Sequence, residues 1–329
     1  MFYLIVPWLV ALLSGLSILL VAFKKWKLGT AILVVGICLN VYTEAVPFNL
    51  FSTHDDGILK IMCYNIDSSN NFKEDTALVD SMAQMILKEN ADVLVLEEYS
   101  NQCCGRLDSL LCKNYSFREI LSSGCPNAVY SKYLLSDKIE LELDSTSVMN
   151  EGLKQAAKID SIRTMVNKRQ VMGLSVSKGK KRLRLIACHL ASNQYNMTRR
   201  NMPTTEKWWK GIPQYRLGFL SGGLARETET QYIQQEVEKY KKQGLPVIVC
   251  GDMNDVSGSK ALQILQSAGL ENVWWEKGHG FGFTYHGHHI MNFRIDHILH
   301  TEDVEVKSIK KIDQHYSDHD PIIASFDWM

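Results

Sequence analysis

Tyr316-Ser317-Asp318-His319-Asp320-Pro321 stands directly before the apolar run Ile322-Ile323-Ala324-Ser325-Phe326. A run of that length with β-branched residues predicts a buried strand. The acid and imidazole stand at its mouth, where a charge is costly unless it is paired or bound to a metal. The same design recurs upstream. Ile58–Tyr64 ends at Asn65, Ala91–Leu96 at Glu97-Glu98, Leu183–Cys188 at His189, and Pro246–Cys250 at Gly251-Asp252-Met253-Asn254. Phe293–Leu299 carries Asp296 inside a strand-like run. So many polar strand ends imply strands that converge on one site, because layered α/β folds bind ligands outside their strand ends.

The set Asn65, Glu98, His189, Asp252 with Asn254, Asp296 and Asp318 with His319 resembles the endonuclease/exonuclease/phosphatase superfamily across roughly residues 58–327. The Gly-Asp-x-Asn and Ser-Asp-His blocks carry the likeness together; each alone is weak. One departure is visible. The family usually has Gln-Glu after the second strand, and Glu97 stands here in the place of the Gln.

Strand–helix alternation mixed with hairpins predicts two mixed sheets packed face to face with helices outside. The resemblance implies the same four-layer α/β sandwich. Helices are expected over 73–90, 101–111, 227–242 and 259–268. Strands are expected over 115–120, 127–131, 139–143, 281–285, 293–299, 304–312 and 321–327. Residues 169–176 and 182–190 read as a hairpin turning at Ser177-Lys178-Gly179-Lys180.

Hydrolysis of a phosphate ester needs an aimed water, neutralisation of charge on the phosphoryl oxygens and help for the leaving oxygen. Hard oxygen ligands suit Mg²⁺ or Mn²⁺, and Glu98, Asn65 and Asp318 are the expected ligands. Asp252 is expected to orient or deprotonate the water. Asn254, on the same face if the backbone is extended, would donate to a phosphoryl oxygen. His319 would stay protonated with Asp296 holding its ring, and His189 would contact a phosphoryl oxygen or assist the leaving group. His297 should point to the opposite face of its strand in a structural role. Asn65, Glu98, Asp252 and the histidines leave no gap of the kind a non-catalytic binding module on this fold would show.

The chain has 329 residues, with 36 basic and 36 acidic side chains. A balanced charge does not favour a nucleic-acid binder. A long insertion over 197–223 holds Arg199, Arg200, Trp208 and Arg216, candidates for substrate binding. They suit a phosphate with a stacked base, or a lipid headgroup interface, or a folded surface loop. His286-Gly287-His288-His289 reads as incidental. The substrate stays open between nucleic acid, a phospholipid headgroup and a soluble phosphate ester.

Residues 1–51 form an appendage to a catalytic domain over 52–329. Phe2–Phe23 has no charged residue and is long enough to cross a bilayer. It lacks the basic start of a secretory signal. Lys24-Lys25-Trp26-Lys27 should remain cytoplasmic. If residues 28–48 also span, the anchor is a hairpin and the catalytic domain lies outside the cytoplasm; if they lie on the surface, the domain is cytoplasmic. The hairpin is the expectation. Of eight cysteines, Cys103, Cys104, Cys112 and Cys125 cluster closely enough for one or two disulfides in an oxidising compartment.

Overall fold

A computed structural model describes residues 2–49, 51, 55–68, 72, 75–100, 103–121, 127–140, 171–192, 212–287 and 292–328. Two apolar helices, α1 (Phe2–Ala22) and α2 (Trp26–Thr43), form an antiparallel pair. Small residues let them approach: Ser17 Oγ donates to Gly29 O at 2.8 Å, and a Cβ on Gly29 would stand 2.9 Å from Val21. Helix α2 ends earlier than the expected residue 48. Glu44 adopts the left-handed conformation, and Asn40 ties down the following turn through both polar atoms of its amide to the Val46 backbone.

The catalytic part contains two six-stranded mixed sheets. The first has the order β11 (Val304–Lys311), β12 (Ile322–Trp328), β1 (Leu59–Asn65), β2 (Val93–Glu97), β4 (Ala128–Ser131), β3 (Phe117–Ile120). The second has the order β5 (Leu134–Glu140), β6 (Val171–Lys178), β7 (Lys181–His189), β8 (Val247–Asp252), β10 (Asp296–Thr301), β9 (Leu270–Asn272). The period of two divides each central strand between two layers. Leu59, Ile61 and Cys63 of β1 meet Leu185, Ala187, Ile248 and Cys250 between the sheets. Met62 and Tyr64 face α3 (Thr76–Glu89) and α4 (Gly105–Leu111). On the other side, Ile186, Cys188, Val247 and Val249 pack under α5 (Ile212–Lys242) and α6 (Lys260–Ser267). A short helix, α7 (Val273–Lys277), follows β9. This is the four-layer sandwich the sequence predicts.

Strand direction gathers the site. Strands β1 and β2 are parallel, as are β7 and β8, so Asn65 pairs with Glu97 and His189 with Asp252. Strands β10 and β12 run the other way, so their first residues meet those last residues, with Asp296 opposite Asp252.

Several boundaries differ from the expectations. Helix α5 begins at Ile212, not at residue 227, because Ile212 onward continues the helix through what reads as a loop. Arg216 therefore falls within α5, while Arg199, Arg200 and Trp208 lie outside the described residues. Residues 281–285 form no ladder, only single bridges from Tyr285 to Phe293 and to His319. The strand expected from Phe293 starts at Asp296, and the one expected over 139–143 is Leu134–Glu140. The helix expected from Asn101 starts at Gly105. Cys103, Cys104 and Cys112 carry free thiols, and Cys125 lies outside the described residues.

Candidate active site

Asp252 is the centre of the polar cluster. Its side chain is almost wholly buried, and Oδ2 accepts from Asn65 Nδ2 at 3.0 Å. His189 Nε2 lies 3.6 Å and His319 Nε2 3.7 Å from the same oxygen. Glu98 stands at the open edge, with Oε1 accepting from Asn65 Nδ2 at 3.1 Å and lying 3.8 Å from His189 Nε2. Burial raises the Asp252 carboxyl above its ordinary range, against the pull of His319.

His319 is held from behind. Its Nδ1 lies 2.9 Å from Asp296 Oδ2, and Thr284 Oγ1 accepts from the backbone N–H groups of Ile295 and Asp296, both at 3.2 Å. Burial opposes charge on the His319 ring, but the Asp296 and Asp252 carboxylates outweigh it and hold the imidazole well above its ordinary range. Burial would likewise raise Asp296, yet the His319 charge and its hydrogen bonds keep that carboxyl low. The Tyr285 ring lies against His319, centroids 5.0 Å apart. Asp252, Asp296 and His319 place ligand atoms within 4.8 Å of one another. The short Nδ1–Asp296 contact makes this an acid–imidazole–acid chain.

The oxygen donors at the mouth suit a hard divalent cation in part. Glu98 and Asp318 are carboxylates near enough that the Glu98 charge adds to burial in raising Asp318. Asn65, however, turns its Nδ2 toward Glu98 and Asp252, while its Oδ1 accepts from Asp67 N–H at 3.1 Å. As a ligand Asn65 would need the opposite amide orientation. Asn254 departs from the extended backbone expected of it. Strand β8 stops at Asp252, and Asn254 is left-handed (φ 50°), with its N–H on Asp252 Oδ1 at 2.8 Å. One amide N–H goes to Leu190 O at 2.9 Å, leaving the second for a ligand.

Glu97, in the place of the expected Gln, is fully buried between the sheets against Gly251, with neither carboxyl oxygen hydrogen-bonded. Burial, with the Asp296 carboxylate next, pushes it well above the usual range. Gly251 itself is obligatory. Its φ is 137°, and a Cβ would lie 1.9 Å from Cys188 O. His297 points to the far face, with Nε2 2.9 Å from Asp255 O, and burial lowers it to about 4.

Sequence reasoning missed a clamp on α5. Arg226 donates from Nε to Asp255 Oδ2 at 2.9 Å and from Nη1 to Ala191 O at 2.7 Å. Glu229 Oε2 accepts from Ala191 N–H at 2.8 Å. Together they lock the loop after His189 to the loop after Asp252. Thr284 and Tyr285 were also missed as site residues; the alternation of Phe281, Phe283 and Tyr285 was the available signal.

These strand ends, with an acid, two imidazoles and a carboxylate rim, define a phosphoesterase site. The pattern of the Endonuclease/Exonuclease/phosphatase family matches residues 62–319, and the chain belongs to that family. No curated protein sequence matches the chain. Solved structures share the fold at low identity. Truncated Caenorhabditis elegans TDP2 superposes with a TM-score of 0.56 at 16% identity, covering 82% of this chain and 97% of that one. The human Nocturnin catalytic domain with bound sulfate gives 0.56 at 14%, covering 82% and 93%. The Neisseria 3′ phosphatase NExo, bound to a product DNA hairpin, gives 0.54 at 17%, covering 82% and 100%.

Proposed function

We propose that this protein is a membrane-anchored phosphoesterase that hydrolyses a phosphodiester or phosphomonoester by in-line attack of water, dependent on Mg²⁺ or Mn²⁺. The convergence of Asn65, His189 and His319 on one oxygen of Asp252 carries the reading. Asp252 accepts the proton of the attacking water, and its raised carboxyl suits a base better than an ordinary aspartate does. Protonated His319, oriented by Asp296, donates to a phosphoryl oxygen as negative charge grows there. His189 and the free N–H of Asn254 serve the remaining oxygens. Glu98 and Asp318, with Asn65 after an amide flip, would hold the cation, which when bound neutralises phosphoryl charge.

Two helices of suitable length and hydropathy, Ile5–Ala22 and Trp26–Thr43, support a hairpin anchor. Lys24 and Lys25 lie at its turn, and the rule that basic loops stay cytoplasmic supports a catalytic domain outside the cytoplasm. The full chain, purified in detergent, is expected to hydrolyse bis-p-nitrophenyl phosphate or p-nitrophenyl phosphate with Mg²⁺ or Mn²⁺ and to lose that activity in EDTA. Metal-independent turnover, or turnover that survives Asp252→Ala, would refute the assignment.

A further inference from the structure

The segment joining the hairpin to the domain is not a free tether. Asn49 Nδ2 donates to Glu276 O at 2.9 Å and to Gly278 O at 3.0 Å, and Asn49 O lies 2.9 Å from His279 Nδ1. The Phe48 ring meets Trp275 edge-on, centroids 5.7 Å apart. Buried Arg294 donates from Nη2 to Glu44 O at 2.9 Å and to Ser257 Oγ at 2.8 Å. Gly258 packs so closely on α2 that a Cβ would stand 2.8 Å from Thr43 Cα. From α1, the Trp8 ring stacks on Phe283 at 5.1 Å and on Phe281 at 6.2 Å. Both helices are therefore seated on the domain by polar and aromatic contacts together.

Those contacts fall on the segments that build the active site. Ser257 and Gly258 end the loop that leaves Asp252, and Arg294 lies two residues before Asp296. Phe283 immediately precedes Thr284, which binds the Asp296 backbone, and Tyr285, which lies on His319. Two residues of extended chain span at most about 7 Å and each ring centroid lies about 4 Å from its own Cα, so the His319 ring lies within about 25 Å of the Trp8 ring. At 1.5 Å per residue α2 is about 27 Å long and the part of α1 beyond its seat, from Trp8 to Ala22, about 21 Å, so neither exceeds the roughly 30 Å hydrocarbon layer. Among the described residues, neither helix has length to spare that would lift the domain away. Exposed Tyr42, Phe48 and Phe51 lie at this end, as residues at a bilayer interface do.

Resting on the hydrolytic and membrane-spanning reading above, we infer that the substrate is a phosphate ester carried by an amphiphile in the same leaflet. The site is held at headgroup height, and a balanced charge supplies no long-range field for a polyanion in solution. A soluble ester or a nucleic acid would need only a flexible tether. Water forms the new P–O bond, the ester P–O bond breaks, and the proton taken from water ends on the leaving oxygen. The lipid part stays in the membrane.

The test uses the full chain in phosphatidylcholine nanodiscs with Mg²⁺ or Mn²⁺. The embedded probes are phosphatidic acid, phosphatidylglycerol and sphingomyelin. The soluble probes are dihexanoyl forms of the same headgroups, single-stranded DNA and bis-p-nitrophenyl phosphate. At least one embedded ester is expected to be turned over about a hundredfold faster than its dihexanoyl counterpart, as confinement to one surface allows. The undocking pair Trp8→Ala with Asn49→Ala should lose most of that advantage and keep its rate on bis-p-nitrophenyl phosphate. As a readout without turnover, a fluorescent residue at exposed His286 should transfer energy to headgroup-labelled lipid, and less so in the undocked variant. The inference is overturned if bis-p-nitrophenyl phosphate is cleaved while no embedded ester is, if DNA is preferred, or if undocking changes neither measurement. Absence of turnover on every probe would remove the hydrolytic reading itself, and this inference with it.

Discussion

Glu229→Gln should stabilise the protein, and only at higher pH. Glu229 is fully buried on α5, and burial pushes its carboxyl from the ordinary 4.5 up to about 8, against the Ala191 N–H and the Arg226 charge. An acid raised in the folded state takes up a proton on folding. That requirement costs nothing below pH 4.5, grows through neutrality and levels off above about pH 8. At about 1.4 kcal/mol per pH unit, stability should fall by up to about 4 kcal/mol from pH 5 to pH 8 through this residue. Glutamine keeps an oxygen for the Ala191 N–H and carries no proton to gain. Urea unfolding of the detergent-solubilised chain, followed by tryptophan fluorescence, should give matching stabilities at pH 5 and a more stable variant at pH 8. Parallel pH profiles, or a less stable variant at pH 8, would mean that Arg226 holds Glu229 ionised, and the argument from burial would fail.

Asp252→Asn should lower turnover of bis-p-nitrophenyl phosphate by about 10²–10⁴-fold with binding little changed, measured as kcat against KM. Gly251→Ala should cost at least about 4 kcal/mol, because the new methyl meets Cys188 O and the φ of 137° disfavours any side chain; the urea midpoint or loss of folded protein reads this out. Arg226→Met should cost about 3 kcal/mol by stranding Asp255, and should lower kcat by loosening the His189 and Asp252 loops against each other. An Arg226→Lys variant that restored both fully would show that the two-pronged contact is dispensable.

The strand ends were legible because a buried strand that stops at a polar residue leaves a sharp mark in sequence. Asn65, Glu98, His189, Asp252, Asp296 and His319 meet for that reason. The order of the sheets then follows from strand direction. Arg226 and Glu229 were not legible. In Arg226-Glu227-Thr228-Glu229 they read as the charged start of a solvated helix, and they are buried only because residues 190–191 and 255 return against α5. Asn254 escaped its expected geometry because the Asp252 side chain captures its N–H and turns the chain at once. The seating of the hairpin on Arg294 and Gly258 depends on segments more than two hundred residues from the helices, which no local pattern links.

The place of β1 between β12 and β2 bears on how the protein is made. The first strand of the domain, Leu59–Asn65, leaves the ribosome long before its antiparallel neighbour Ile322–Trp328. The first sheet cannot close until Ile322–Trp328 has been made, and such distant pairing is slow. The paired helices α1 and α2 are made before residues 257–294, their seat, exist. The nascent chain must therefore wait with a half-built sheet and an unseated helix pair. Chains cut before Ile322 should accumulate as protease-sensitive species rather than as smaller folded enzymes.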